Sequence, residues 1–463
     1  MLKINSSLLA ILIATCFGFL VVQLDVSVVN VGLGSLKNAF DMDLTGLQWV
    51  INSYALVFSA LLILGGALGD KMGAKVVFSW GFAVFVLGSV GCGLANSMTM
   101  LIIFRSVQGL GAALLVPTSL TLIRISFADP ATRRSAVAMW GASGGIALAA
   151  GPVIGGLMIQ YFGWRSIFLI NVPIGIMAII LIQRSAPDSP RIDKSIDVSG
   201  QLSIAICVSL LTYTLTEFSS QGWSFVQVST LLLAIIFAVI FIYIERSVKN
   251  PMLPSRLAKN KVLAATALSG AVINLTFYGT VFALSIYFQT ILHFNSVRTG
   301  LAFIPLTAVL TISTMVSSRI ARRVKDITLI TTGFLVQMVG FIALSQLNPE
   351  SSLWLLNVPL MMVGIGSAMS VPSITNSMLA SVSQHDAGIA SGLMASARQL
   401  GGVIGVAIFG SLIASADPGY FAKGMSKAMI FSALTLFICI CVNLYVARQR
   451  ASGKQSEQQA RGK

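Results

Sequence analysis

The sequence predicts an all-α integral membrane protein of fourteen spans, two six-helix bundles with a pair of helices inserted between them. Three observations predict it. Hydrophobic residues make up 56% of the 463 and charged residues only 10%, with a mean hydropathy of +0.88, far from the balance of a soluble domain. Apolar runs of ~20 residues, the length that crosses the hydrocarbon as helix, recur along the whole chain. The formal charge of +15 forms no patch: Lys and Arg stand singly or in small groups between apolar runs, where they act as topology signals and not as a nucleic-acid surface.

The expected spans, in order, are Leu8 to Val31, Leu47 to Leu68, Val76 to Ala95, Met100 to Ile123, Ser135 to Tyr161 and Ser166 to Gln183. Val198 to Glu217 and Phe225 to Ile244 form the inserted pair. Six more follow: Val262 to Gln289, Thr299 to Ser318, Ile327 to Ser345, Leu353 to Leu379, Gly388 to Ala414 and Lys427 to Val446. An even number puts both termini on one side. With the termini inside, 23 of the 30 Lys and Arg are cytoplasmic, 5 are outside and 2 lie within spans, which fixes the expected orientation. The expected units are therefore residues 1–183, an N-terminal bundle; 184–261, cytoplasmic linkers and the inserted helices; 262–446, a C-terminal bundle; and 447–463, a disordered cytoplasmic tail without apolar residues. Lys3 before the first apolar run imitates a signal peptide, but no convincing small-residue cleavage site precedes Asp25, so the first span is expected to be retained.

Asp25 is the only acid well inside an apolar run, at a cost of ~2.5 to 3.5 kcal/mol near a helix centre on insertion scales. Desolvation favours the neutral acid, so a carboxyl there can take up and release a proton as its surroundings change. That is the chemistry of a proton-coupled transporter. The alternative is a carboxylate held by Asn30, Gln23 or a helix end. Arg105, inside the fourth span with Gln108 on the same face, is the obvious partner; the competing reading is an arginine that snorkels to an interface. Between the second and third spans, Gly66, Gly69, Asp70, Lys71, Gly73 and Lys75 suit a conformational latch or a plain charged turn. In the fifth span Gly145, Gly151, Pro152, Gly155 and Gly156 suit close packing and a hinge.

Several of these motifs together resemble the major facilitator superfamily, within it the fourteen-span drug:proton antiporters of the DHA2 group, over essentially the whole length. Leu24-Asp25 with Val29-Asn30-Val31 is similar to the group's first-span signature, and Gly66 to Lys75 to the superfamily's loop motif. Leu101, Arg105, Gln108, Gly109, Gly111, Ala112 and Ala113 are similar to the span-four motif, and Gly151-Pro152 with Gly155-Gly156 to the antiporter motif. Trp164 to Gly175, Ile196 to Gly200 and Ala397 to Gly410 extend the likeness. Ser27, Gly34, Lys71, Ala74 and Ala147 depart from the usual residues. The resemblance implies alternating access about a central cavity, proton influx driving efflux of lipophilic compounds, Asp25 as proton site and Arg105 as its coupling partner. Asp70, Lys71, Gly73, Gly151, Pro152 and Gly155 would then serve gating. It also implies a multi-pass protein of a bacterial plasma (inner) membrane with cytoplasmic termini.

Asn30, Tyr54, Gln108, Asn274, Tyr278, Gln337 and Arg398 are further expected cavity residues, amides and aromatics being suited to a mostly apolar, adaptable site. Tyr287, Gln289 and Gln399 are weaker candidates. Glu217 and His293 are expected at the outer interface. The five cysteines lie in apolar runs without ligand spacing, and His293 and His385 stand far apart, so no metal site and no enzyme is expected. No Walker motif supports ATP-driven export. Protons are the expected coupling ion, with no cofactor. Expected partners are small lipophilic substrates and the lipid bilayer, with no nucleic acid, a monomeric state and a periplasmic adaptor. Exchange of one proton for one monovalent cation draws only on the pH gradient, ~1.4 kcal/mol per unit. A neutral substrate also draws on membrane potential, ~2.3 kcal/mol per charge per 100 mV. A single intramembrane acid favours monovalent cationic or neutral drugs and biocides over divalent cations. Endogenous metabolites (a sugar, siderophore or fatty-acid-like compound) are the other expected class, and a non-transporting sensor a third.

Overall fold

A computed structural model describes residues 5–189, 191, 197–222, 224–248, 251, 253–320, 323–346, 353–383, 386–413 and 417–461. Pro190 and residues 192–196 of the first linker, and His385, lie outside the described residues.

Among the described residues, fourteen helices are long and apolar enough to cross a membrane. They are Ser6–Phe40, Leu44–Met72, Ala74–Gly93, Met98–Ser126, Pro130–Phe162, Ser166–Ser185, Val198–Phe218, Phe225–Ser247, Lys261–Ile291, Ser296–Thr314, Asp326–Leu344, Leu355–Leu379, Ala387–Leu412 and Pro418–Arg450, numbered below as first to fourteenth span. Polar caps, and not the ends of the apolar runs, decide where many begin. Asn5, Asp43, Ser97, Asp129, Asp197, Asn260 and Asn295 each accept from a backbone N–H in the first turn. The first helix accordingly runs past the expected Val31 to Phe40, until Asp41 turns left-handed at φ 48°. Gly73, at φ +97°, makes the tight corner between the second and third spans.

One expectation is corrected. Over residues 447–461 the tail is helix, not disorder: the last helix continues to Arg461. Extending an existing helix avoids the cost of nucleation, and the segment's Ala, Arg, Gln, Lys and Glu are good helix formers.

The first six spans pack on one another, the first against the fourth, fifth and sixth, and the fourth against the second and third. The last six do likewise, with the ninth against the twelfth, thirteenth and fourteenth. The seventh rests on the second and thirteenth, at the edge of the seam between bundles, and the eighth rests on the seventh with exposed Leu232, Ile235, Ile236 and Val239. Trp49 donates to Glu217 at 2.7 Å and Asn52 to Thr216 at 3.2 Å, tying this pair to the second span. Glu217 is therefore half-buried and bonded, not a solvated interface carboxylate.

Across the seam, several close contacts lie at the end away from the chain termini. Gln48 donates to the carbonyls of Val406 and Ala407 at 3.0 and 3.1 Å, and Gly34 donates its N–H to Gln289 at 2.6 Å. Gly300 of the tenth span lies against the backbone of Pro152 and Val153 in the fifth. A side chain there meets backbone and cannot rotate away. Gly300→Val is expected to pry the seam open at this end, read as a longer distance between spin labels on the tips of the fifth and tenth spans.

Candidate functional site

The site is assembled on the fourth span, which glycines seat tightly: the absent side chain of Gly109 makes room for the Tyr54 carbonyl, and that of Gly88 for the backbone of Gln108. Packing at this spacing aims Arg105 and Gln108, one turn apart, at the first span.

There Arg105 Nη1 is hydrogen-bonded to Asp25 Oδ2 in a buried ion pair, with both side chains essentially inaccessible. Gln108 Nε2 donates to the other carboxylate oxygen at 3.1 Å and to Ser89 Oγ at 2.8 Å. Its Oε1 accepts from Arg105 Nη1 at 2.8 Å, and Arg105 Nε donates to the Val50 carbonyl at 3.0 Å. The Tyr54 ring lies 4.4 Å from the guanidinium carbon. Two opposite charges with most of their bonding capacity satisfied can remain in a low-dielectric interior; either one alone cannot do so cheaply. The expected alternatives for Asp25 (Asn30, Gln23, a helix end) and for Arg105 (snorkelling) are not what the structure holds.

Two cavities line the seam beside this pair. One is walled by Ser27, Asn30, Leu148, Pro152, Phe277 and Tyr278, among others. The second is walled by Asn52, Tyr54, Arg105, Tyr278, Gln399 and Gly402, among others. Asn30 donates to the Val26 carbonyl at 2.7 Å and keeps its own oxygen without a protein partner. Asp25 lines neither cavity, so it lies behind Arg105 as seen from the seam.

Other expected residues fall in three places. Asn274 and Arg398 meet across the ninth and thirteenth spans, Arg398 Nε donating to Asn274 Oδ1 at 3.3 Å. Gln337 does not reach the cavities; it is buried between the eleventh and twelfth spans, accepting from Ser367 at 3.3 Å, where the amide serves helix contact. At the termini end Lys71 is exposed, and Lys75 makes the contacts: its Nζ donates to the Ala186 carbonyl at 2.8 Å and lies 3.5 Å from Asp188. The Gly73 corner sits against Ser189.

The fifth-span glycines face two ways. Gly151 and Gly155 receive Ser27 and Val28 of the first span, whereas Gly156 and Pro152 meet Ser296 and Gly300 of the tenth. Pro152 cannot donate to the carbonyl of Leu148 four residues back, and Ser27 Oγ donates to it instead at 3.0 Å. Sequence reasoning marks the freed carbonyl but not its partner, because Ser27 lies 121 residues away. Ser27→Ala orphans that carbonyl and is expected to cost ~1–3 kcal/mol in thermal unfolding, with Ser27→Thr restoring it.

The Major Facilitator Superfamily profile matches residues 15–406. The chain is 34% identical to the methylenomycin A resistance protein of Bacillus subtilis (strain 168), covering 93% of each chain. It is 32% identical to the multidrug resistance protein Stp of Mycobacterium tuberculosis, covering 89% of this chain and 77% of that one. It is 30% identical to the tetracenomycin C resistance and export protein of Streptomyces glaucescens, covering 90% and 78%. Among solved structures it is similar in fold to a bacterial homologue of the human lysosomal transporter Spinster in an inward-facing and occupied conformation, with a TM-score of 0.68 and 16% identity over 95% of this chain and 96% of that one. Helices across the whole length, a seam lined by cavities and a profile match over most of the sequence agree: the chain belongs to the Major Facilitator Superfamily, as a membrane transporter and not an enzyme.

Proposed function

We propose that the protein exports lipophilic drugs and biocides in exchange for protons, by alternating access of its two bundles. The observation that carries this reading is the buried Asp25–Arg105 pair, which links the first and fourth spans directly behind the cavity wall. Relatives named for resistance to methylenomycin A, for tetracenomycin C export and for multidrug resistance support the export of drugs. The Lys and Arg distribution supports cytoplasmic termini in a plasma membrane, which makes the end of the seam joined by Gln48 and Gly34 the outer one.

Protonation of Asp25 removes the counter-charge of Arg105 while leaving the guanidinium its bonds to Gln108 and Val50 and the Tyr54 ring. The contact between the first and fourth spans then weakens. Two and three residues beyond Asp25, Ser27 and Val28 sit in the Gly151 and Gly155 notches, and the same fifth span holds the tenth through Pro152 and Gly156. A shift of the first span is thereby passed to the seam. Conversely, opening the seam at the outer end gives the carboxyl a route to protons.

The test is drug transport in proteoliposomes under an imposed pH gradient. Accumulation that follows the gradient and collapses with a protonophore is expected. Equal flux with and without the gradient would overturn proton coupling.

A further inference from the structure

Arg105 stands between the Asp25 carboxylate and the seam, but on its other side the carboxylate meets a run of buried polar groups inside the N-terminal bundle. Gln108 Nε2, 3.1 Å from Asp25 Oδ1, is also 2.8 Å from Ser89 Oγ of the third span. Ser89 Oγ accepts in turn from Asn171 Nδ2 of the sixth span at 3.4 Å, and among the described residues it gives its own hydrogen to no group. Asn171 Oδ1, on a side chain only 1% exposed, has no protein partner. A buried acceptor in that state is a seat for water. Asn171 lies where the sixth span is interrupted at Ile170, and Pro173 has no N–H for the Leu169 carbonyl four residues back. Depth gives the run a direction. Gln108 lies ten residues, ~15 Å, inside the outer start of the fourth span; Ser89 lies four, ~6 Å, from the outer end of the third and Asn171 five, ~7.5 Å, from the outer start of the sixth. The ionisable groups beside the run are Arg105, Tyr54, Cys92, whose thiol donates to Gln108 Oε1 at 3.3 Å, and the exposed Arg165 at the outer end, whose Nη2 donates to the Ala95 carbonyl at 3.1 Å.

Resting on the proton-exchange reading above, we infer that protons reach Asp25 from the outer face through the N-terminal bundle, along Asn171 and Ser89 with Gln108 as the gate, so that proton and substrate use different entrances. A hydroxyl and a water can each pass a proton on, whereas a side-chain amide holds and orients its neighbours. With Gln108 Nε2 bonded to both, the Ser89 hydroxyl and the Asp25 carboxylate are kept apart by a group that relays nothing. Opening the seam at its outer end shifts the first span on the fourth, draws Asp25 off Gln108 and lets a water take the place of the amide. That water gives a proton to Asp25 Oδ1 and takes the Ser89 hydroxyl proton. Ser89 Oγ then takes a proton from the water held at Asn171 Oδ1, which is resupplied from outside. One outside proton is consumed, the carboxylate is neutralised, and the hydroxyl ends as it began.

The test is ethidium transport by the full-length protein in proteoliposomes, driven by a pH gradient and, separately, by exchange of labelled for unlabelled ethidium, in wild type, Ser89→Ala, Ser89→Thr and Asn171→Leu. Ser89→Ala and Asn171→Leu are expected to slow gradient-driven transport about tenfold, less than the ~10²–10⁴ of a group that transfers the proton directly, because water fills part of the gap. Acidifying the outer side should restore it, with the half-maximal rate moved to lower outside pH. Exchange should stay within a few-fold of wild type, and Ser89→Thr, which keeps the hydroxyl, should have the wild-type rate and pH profile. The Ser89 pair decides the matter if Asn171→Leu does not fold. An unchanged pH profile in Ser89→Ala, or exchange lost in step with driven transport, would overturn the route while leaving the export reading in place. Wild-type ethidium transport that is absent or indifferent to the gradient would overturn the export reading and the route with it.

Discussion

Asp25→Asn is expected to abolish proton-driven accumulation of substrate while leaving substrate-for-substrate exchange in place. Asparagine has nearly the shape of aspartate and keeps an oxygen for Gln108, so the first span retains that bond to the fourth while Arg105 loses its counter-charge. What it loses is the negative charge and the site for a proton, and with them the difference between two protonation states that a gradient can act on. Exchange needs only the seam to move with substrate bound. Uptake into inverted vesicles under a pH gradient should fall to the level of empty vesicles, and labelled-for-unlabelled exchange should remain within a few-fold of wild type. Loss of both activities in a folded Asp25→Asn protein would mean that the carboxylate serves structure alone.

Removing either partner of the ion pair by alanine, and then both, gives the second large effect. Asp25→Ala leaves the guanidinium buried without its counter-charge, and Arg105→Ala leaves the carboxylate in the same position. Each is expected to cost ~3–5 kcal/mol, the range measured when one partner of a buried pair is removed. The double variant should cost far less than the sum, because no uncompensated charge remains. Thermal unfolding in detergent across the four proteins gives the coupling. Additive losses would show that Asp25 and Arg105 are held by other groups and do not depend on each other.

The number of spans and the Asp25–Arg105 partnership were legible in the sequence for a common reason: membranes make polar groups expensive, so an acid and an arginine in apolar runs imply each other. The length of the apolar runs locates the helices but not their ends, which the caps at Asn5, Asp43 and Ser97 set. Sequence could not place Gln337, since a buried amide is equally at home in a cavity or between two helices until the packing partner, Ser367, is known. Nor could it find Ser27 as the acceptor's partner for Pro152, or Gln48 as the lock across the seam, because both depend on segments distant in the chain. Arg398 inside an apolar run needs an acceptor, and only the fold shows that its Nε meets the neutral amide of Asn274.

The central claim is that the Asp25 carboxyl takes up a proton when the protein works and gives it up when Arg105 returns. Infrared difference spectroscopy on the reconstituted protein, recorded on adding substrate and on stepping the pH, reads that carboxyl directly. The account predicts a protonated-carboxyl band that changes with substrate in the wild type and is missing in Asp25→Asn. A band of the same size in Asp25→Asn, or a wild type in which no carboxyl changes its protonation with substrate, would contradict it.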